Sequence, residues 1–561
     1  MSRQPAREGR ASMRHLSRGR DRLSRTRLVL AIGVVALVAQ TTTTPTVAST
    51  DHGVSQAVSF TNVDFTAGEG CVDFPELCKP DADGDLVPRQ GGQWELNISI
   101  PAGCQEPLPV FIDNPGSAWG STDTNLTSHS MTTYCYAFAG VNDSSSGPNQ
   151  GDNDSLCRFP CQTWDMNAAI RWLRANADGW VRPDDHTVNA SRPAGQAFEY
   201  HLDPNRIAVS GFSSGGWQGA FEGTTNGATF RSDIRGGKDY VVDLEGTLGP
   251  WEGIYSSDVQ AVVDLHPPTD FSLMNEPYSG VGPPSALDHD AAGSPESSLV
   301  GCPVGDSRND LNPLYTFDQL CQAKVQSANP MHYISHDDPP QMIFHGSSDS
   351  LVPHGQSVYL YEALRDACLD VQFYSMDGQN HVPVYMIGPG LPHFRFASAN
   401  CGSEQISHGP PDYHVCEDQT NACTHDPANW AGVAGFLDRV MRETIPPNLV
   451  VDASGNPGTA DEVLANGSIT VVAQTNEASW YDVVVLVDGT EVGTASVDLY
   501  DWGADYPMST PSPYATTIQI PISNQDAVAA GGEVTVQVTA RDRVANEVTI
   551  GDTFNVEGTN G

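Results

Sequence analysis

The stretch from Arg206 to Gly223, RIAVSGFSSGGWQGAFEG, leaves the chain few options. Ile207, Ala208 and Val209 form an apolar run that suits a buried strand. Small residues follow (Gly211, Ser213, Ser214, Gly215 and Gly216), and a helix-compatible stretch opens at Trp217. A strand passes into a helix over so few residues only through a sharp turn, where bulky neighbours would clash. Such a turn pushes the Ser213 hydroxyl out above the sheet, and Ser213 is the candidate nucleophile.

The surroundings fit that turn. Apolar runs at Trp94–Ile100, Pro109–Ile112, Arg206–Ser210, Val259–Leu265, Gln341–Phe344 and Val371–Met376 read as strands. Thr163–Ala177, Gln356–Cys368 and Asn429–Arg442 read as helices between or after them. Strands alternating with amphipathic helices predict an α/β fold, a mostly parallel sheet covered on both faces. The expected catalytic domain spans 93–445, after a loop-rich lead-in over 49–92. Within that lead-in, Asp81-Ala-Asp83-Gly-Asp85 lacks the full loop and closing Glu of a calcium site and reads as a solvated acidic turn.

A serine needs a base, and the base an orienting acid. In sheets of this kind the loops at strand carboxyl ends carry function. The strand Gln341–Phe344 leads into His345-Gly-Ser-Ser-Asp349, and Val371–Met376 leads into Asp377-Gly378-Gln-Asn-His381. Asp349 is therefore the expected acid and His381 the expected base. His345, His354 and His393 are alternative bases, and Asp370 and Asp377 alternative acids. The negative charge that develops on a carbonyl under attack needs backbone donors. Ser214 offers one N–H, and the loop after Pro109–Ile112 offers Gly116 and Ser117.

Together these motifs resemble the α/β-hydrolase esterases of the feruloyl-esterase-like and hormone-sensitive-lipase-like group. The resemblance rests on the G-x-S-S-G-G turn, Ser327-Ala-Asn-Pro330 ahead of Pro339-Pro340, the His345–Pro353 stretch HGSSDSLVP, and Gly378-Gln-Asn-His381. It implies cleavage of carboxylic esters by Ser213, His381 and Asp349, with no metal or organic cofactor. The oxyanion loop departs from the family's His-Gly-Gly-Gly-Trp-like run, since Pro115-Gly116-Ser117-Ala118-Trp119 stands there. Between Val262 and Ser327 a Pro/Gly/Asp-rich segment is long enough to form a cap or rim. Polyester depolymerases and serine peptidases of the same fold are rival readings. A non-catalytic surface protein on a hydrolase scaffold is a rival of another class.

After Pro446-Pro447 the pattern changes. Short β-rich runs (Ser468–Thr475, Asp482–Val487, Thr516–Ile520, Glu533–Thr539, Glu547–Val556) alternate with Gly-rich turns and no helix is expected. Residues 446–561 are expected to form a β-sandwich, an Ig-like module.

The start of the chain carries an address. Residues 1–27 hold nine Arg against Glu8 and Asp21, and the apolar run Leu28–Ala39 follows. Twelve residues fall short of the roughly 20 that span a bilayer, so 1–48 reads as a secretory signal peptide. Cleavage fits after Ala39 or after Ala48. The whole chain carries a net charge of −41 and only three Lys (Lys79, Lys238, Lys324). That surface repels nucleic acid and anionic membranes, and no stable membrane insertion is expected after signal cleavage. The resemblance implies an ester substrate as partner, polymeric or on a cell surface among the options. All twelve Cys lie between Cys71 and Cys423, and in an exported chain they read as disulfides. Cys157/Cys161, Cys302/Cys321 and Cys416/Cys423 have the spacing of local staples.

Overall fold

The computed structural model describes residues 58–559 except 83, 90–93, 105–106, 121–129, 147–156, 178–200, 226–227, 235–237, 277–282, 309–313, 315, 382–392, 399–413, 416–427, 443–446, 448, 476–478, 499–514 and 543. A 10-stranded sheet forms its centre. In chain order its strands are β1 (Val58–Asp64), β2 (Glu95–Ile100), β3 (Leu108–Asn114), β4 (Ala137–Asn142) and β5 (Leu202–Phe212). Then come β6 (Ala261–Leu265), β7 (Gln341–Gly346), β8 (Val371–Met376), β9 (His393–Ser398) and β10 (His414–Val415). Across the sheet the order is β1-β2-β4-β3-β5-β6-β7-β8-β9-β10. From β4 to β8 in that order the strands run parallel, and antiparallel neighbours extend both flanks.

Alternation along the strands explains why helices cover both faces. On β5 and β6, Val209 and Val262 join one core cluster with Ile170 and Leu173 of α1 (Cys161–Ala175). Their neighbours Ala208 and Val263 point the other way, into a cluster with Phe436 and Leu437 of the helix Trp430–Met441. A strand buried on both faces has no polar side to show, which is why RIAVS reads as an unbroken apolar run. Helix α2 (Ser214–Thr225) follows β5 directly and is buried along its whole length. Cys71–Cys78, Cys104–Cys135, Cys157–Cys161 and Cys302–Cys321 are disulfides, and Cys368 is disulfide-bonded as well. The expected Cys416/Cys423 staple lies outside the described residues.

Two expectations need correction. The lead-in is less loop-rich than expected, because β1 pairs antiparallel with β2 (Phe60 opposite Ile98, Val63 opposite Leu96). Phe60, Val63 and Phe65 are buried there, and that apolar gain outweighs the loop-like composition around them. The acidic turn closes on itself, with the Asp85 N–H on Asp81 Oδ1 at 3.0 Å.

The second correction concerns the C-terminal part. The strands Val450–Asp452, Ser468–Gln474 and Ala515–Pro521 form one sheet of three. Trp480–Val487, Thr490–Asp498, Gly532–Arg541 and Glu547–Val556 form another of four. Ile469, Val471 and Ile518 from the first share a core with Val483, Val485, Val536 and Val538 from the second. Two short helices also occur, Ala460–Asn466 and Gln525–Ala530, where none was expected. Their signals were present. Thr459 caps the first by accepting the Glu462 N–H, and its hydroxyl donates to the Glu462 carboxylate at 2.8 Å, on the T-x-x-E sequence pattern of a helix start.

Candidate active site

The site is built on the ends of β5, β7 and β8. Ser213 sits between β5 and α2 with φ of 60°, a left-handed conformation that is strained for a residue with a side chain. Two backbone bonds hold it there: its N–H donates to Leu265 O at 2.8 Å, and its carbonyl accepts the Trp217 N–H at 3.0 Å. The turn tolerates no bulk. A Cβ on Gly215 would strike the Asn114 carbonyl, and one on Gly116 would strike the carbonyl of Phe212.

Strand β7 ends at Gly346 and delivers Asp349, whose side chain is buried. Its Oδ1 accepts the N–H groups of Leu351 (2.8 Å) and Val352 (3.0 Å), which fixes the carboxylate plane. Strand β8 ends at Met376 and delivers His381, tilted against the Phe212 ring with centroids 4.7 Å apart. His381 Nδ1 lies 2.7 Å from Asp349 Oδ2, and Nε2 lies 3.0 Å from Ser213 Oγ. An ionised carboxylate only accepts, so Nδ1 carries the proton and Nε2 presents its lone pair to the hydroxyl. The structure thus brings Ser213, His381 and Asp349 into one hydrogen-bonded chain.

The alternatives stand elsewhere. Asp370 pairs with Arg439, and Asp377 is exposed. His354 Nε2 meets Ser375 Oγ at 2.8 Å, and burial pushes its pKa down to about 3. The side chain of His393 lies outside what is described.

Sequence reasoning missed the other company Asp349 keeps. His266, immediately after β6, places Nδ1 2.6 Å from Asp349 Oδ2, and His345 Nε2 lies 3.3 Å from the same oxygen. Burial would raise the Asp349 carboxyl, but hydrogen bonds from His266, His345 and His381 outweigh it and hold the group far below the usual carboxylate range. His345 also directs Nε2 to Val352 O at 3.0 Å, and a carbonyl only accepts, so that nitrogen bears a hydrogen. The His266 nitrogen facing the carboxylate bears one for the same reason. Nitrogen atoms so protonated offer no lone pair to an ion, which makes this a hydrogen-bonded cage around a carboxylate.

Two of the expected oxyanion donors have partners within this structure. Gly116 N–H donates to Asn114 Oδ1 at 3.1 Å, and Ser117 N–H to Ser214 Oγ at 2.9 Å. An asparagine side chain bonding two residues onward forms a local turn of its own, and this turn takes the Gly116 donor. Below it, Asn114 Nδ2 donates to Asp143 Oδ2 at 3.3 Å. Burial pushes Asp143 up to about 7, with the Asn114 hydrogen bond working against it. The loop is held from the other side by Trp119, whose ring meets Trp217 and Phe271 edge-on, each with centroids 5.5 Å away.

The segment after β6 lies against the acid loop. It contains the helices Pro295–Val300 and Gln319–Ser327, clipped by Cys302–Cys321. It fastens to the acid loop through Ala286 N–H on Ser350 O (2.7 Å) and Ser285 Oγ on Leu351 O (3.1 Å).

A central parallel sheet, with a serine raised on a strained strand-to-helix turn beside a histidine and a buried carboxylate, defines the α/β-hydrolase class. Residues 194–364 match the BD-FAE family, an α/β-hydrolase esterase family. The chain is a carboxylic ester hydrolase. Among solved structures it is similar to a truncated carbohydrate esterase from gut microbiota at 27% identity, covering 59% of this chain and 92% of that one, with a TM-score of 0.41. A bifunctional GH43-CE protein of Bacteroides eggerthii is 30% identical over 52% of this chain and 31% of that one, TM-score 0.39. The thermophilic esterase Est2 of the planctomycete Thermogutta terrifontis is 18% identical over 53% and 81% of the two chains, TM-score 0.33. Among curated proteins none matches.

Proposed function

We propose that the protein cleaves carboxylic esters by acyl transfer through Ser213, with His381 as general base and acid and Asp349 as its orienting acid. The observation that carries this reading is the chain Ser213 Oγ, His381 Nε2, His381 Nδ1, Asp349 Oδ2, with links of 3.0 and 2.7 Å. Ser213 attacks the ester carbonyl while His381 takes its proton, and His381 returns that proton to the leaving alcohol. Water then repeats the sequence on the acyl-enzyme and releases the acid. The oxyanion rests on the N–H groups of Ser214 and Ser117, once the Ser214 hydroxyl rotates off the latter. A hydroxyl acceptor turns freely, whereas the Gly116 N–H stays in its asparagine turn. A fluorophosphonate probe tests the nucleophile: the labelled peptide is expected to contain Ser213. Labelling at another serine, or none in folded protein, would overturn the assignment.

The organisation we propose is an exported chain, with residues 1–48 a cleaved signal, 49–92 a lead-in, 93–445 the catalytic domain and 446–561 an Ig-like β-sandwich. The signal falls outside the described residues. Its export is supported by the disulfides, which form in oxidising compartments. No helix among the described residues is long and apolar enough to cross a membrane. The separate module is supported by a core drawn entirely from Leu449 to Val556. Ending the chain at Pro446 is therefore expected to leave turnover of small soluble esters within about twofold, since a domain with its own core folds alone. A folded, inactive truncation would show that the module completes the site.

A further inference from the structure

We propose that His266 is a positioning residue for ester hydrolysis, donating its Nδ1 hydrogen to Asp349 Oδ2 and so setting how strongly Asp349 supports a protonated His381. The inference rests on the triad reading above and goes beyond it, because a Ser-His-Asp mechanism needs no second imidazole on the acid.

The geometry gives His266 one way to act. Its ring is fully buried, and Nδ1 lies 2.6 Å from the oxygen that His381 Nδ1 approaches at 2.7 Å. The two imidazoles thus share one lone-pair-bearing atom, with ring centroids 5.1 Å apart. The titratable groups that face His266 among the described residues are Asp349, His345 (centroids 4.6 Å apart) and His381. His354 stands behind His345, with centroids 5.5 Å apart. Those facing His381 are Asp349 and His266, with Ser213 on its other nitrogen. Burial pushes His266 down to about 3, against the pull of the Asp349 hydrogen bond, so the ring stays neutral wherever the enzyme could work. Its backbone pays the same kind of conformational cost as Ser213, with φ of 53°.

A neutral donor on Oδ2 draws charge away from the side of the carboxylate that faces His381. The carboxylate then favours the His381 imidazolium less, and the base stays free to accept the serine proton at lower pH. Removing the donor reverses this: Asp349 becomes the stronger partner, His381 holds its proton longer, and the acid limb of the rate profile moves up. A residue that only filled space would change stability or rate without moving that limb.

The test is the pH dependence of kcat/KM on nitrophenyl acetate for the full chain, His266→Ala and His266→Asn. Asparagine keeps an N–H near the position of Nδ1 and tolerates positive φ. For His266→Ala the acid limb is expected to move up by about half a pH unit or more. kcat is expected to fall about tenfold with KM little changed. His266→Asn is expected to return the limb to the wild-type position. An unmoved limb in folded His266→Ala, or a limb in His266→Asn that stays shifted, overturns the proposal. Histidine-selective ¹⁵N labelling of the unsubstituted protein decides the matter without reliance on either variant's folding. His266 should remain neutral and protonated on Nδ1 from pH 5 to 8, and the opposite tautomer or titration in that range refutes the role. Failure of the triad reading is separate, since Ser213→Ala would then retain activity.

Discussion

Ser213→Ala is expected to lower kcat on nitrophenyl acetate by about ten thousandfold or more, with the melting temperature unchanged within a few degrees. The hydroxyl is the atom that reaches His381, while the backbone bonds to Leu265 and Trp217 that hold the turn do not involve it. Alanine carries the same Cβ at the same positive φ, so the turn keeps its shape and loses its nucleophile. Initial rates and thermal unfolding on the same preparation check both halves. Activity above a few per cent in the folded variant would mean another serine does the chemistry.

Asp349→Asn is expected to be nearly as severe in rate, about a thousandfold to ten thousandfold. Here, unlike with Ser213, stability should fall as well. Both oxygens of Asp349 accept hydrogen bonds: Oδ1 from the N–H groups of Leu351 and Val352, and Oδ2 from His381 and His266. An amide NH₂ in either orientation sets a donor against donors in a buried site, where an unmatched polar contact is costly. If the NH₂ faces His381, the imidazole must move its proton to Nε2 and can no longer take one from Ser213. Asp370→Asn and Asp377→Asn serve as controls, the first tied to Arg439 and the second exposed. A normal rate in Asp349→Asn beside a dead control would move the acid to another strand end.

What the sequence disclosed and what it hid divide along physical lines. Ser213 was legible because a sharp turn imposes small residues on consecutive positions, and spacing alone carries that demand. Asp349 and His381 were legible because strands β7 and β8 are short apolar runs whose ends can be read directly. Local chemistry was read less well. Spacing points to the loop of Gly116 and Ser117, but their bonds to Asn114 Oδ1 and Ser214 Oγ depend on side-chain rotamers that spacing does not encode. His266 escaped notice because its partner lies 83 positions away and no motif joins them. One cue existed: β6 ends in Asp264-Leu265-His266-Pro-Pro, so a histidine stood at the carboxyl end of the strand beside the serine's own. The strand β1 was hidden for a different reason, since its pairing with β2 rewards burial that a Gly-, Asp- and Pro-rich context masks.

The cage around Asp349 and the fastening of the segment after β6 set different conditions on change in this chain. The cage around Asp349 is made of side chains meeting on one carboxylate, so each substitution there is felt by all the others. The segment after β6 reaches the same loop by mixed means: Ala286 N–H on Ser350 O is a backbone bond that any residue but proline can supply, whereas Ser285 Oγ and His289 Nε2 donate to Leu351 O from side chains. Ser285 and His289 thus hold the segment by their side chains, so variation along it has to spare them, while Ala286 can be exchanged without losing its bond.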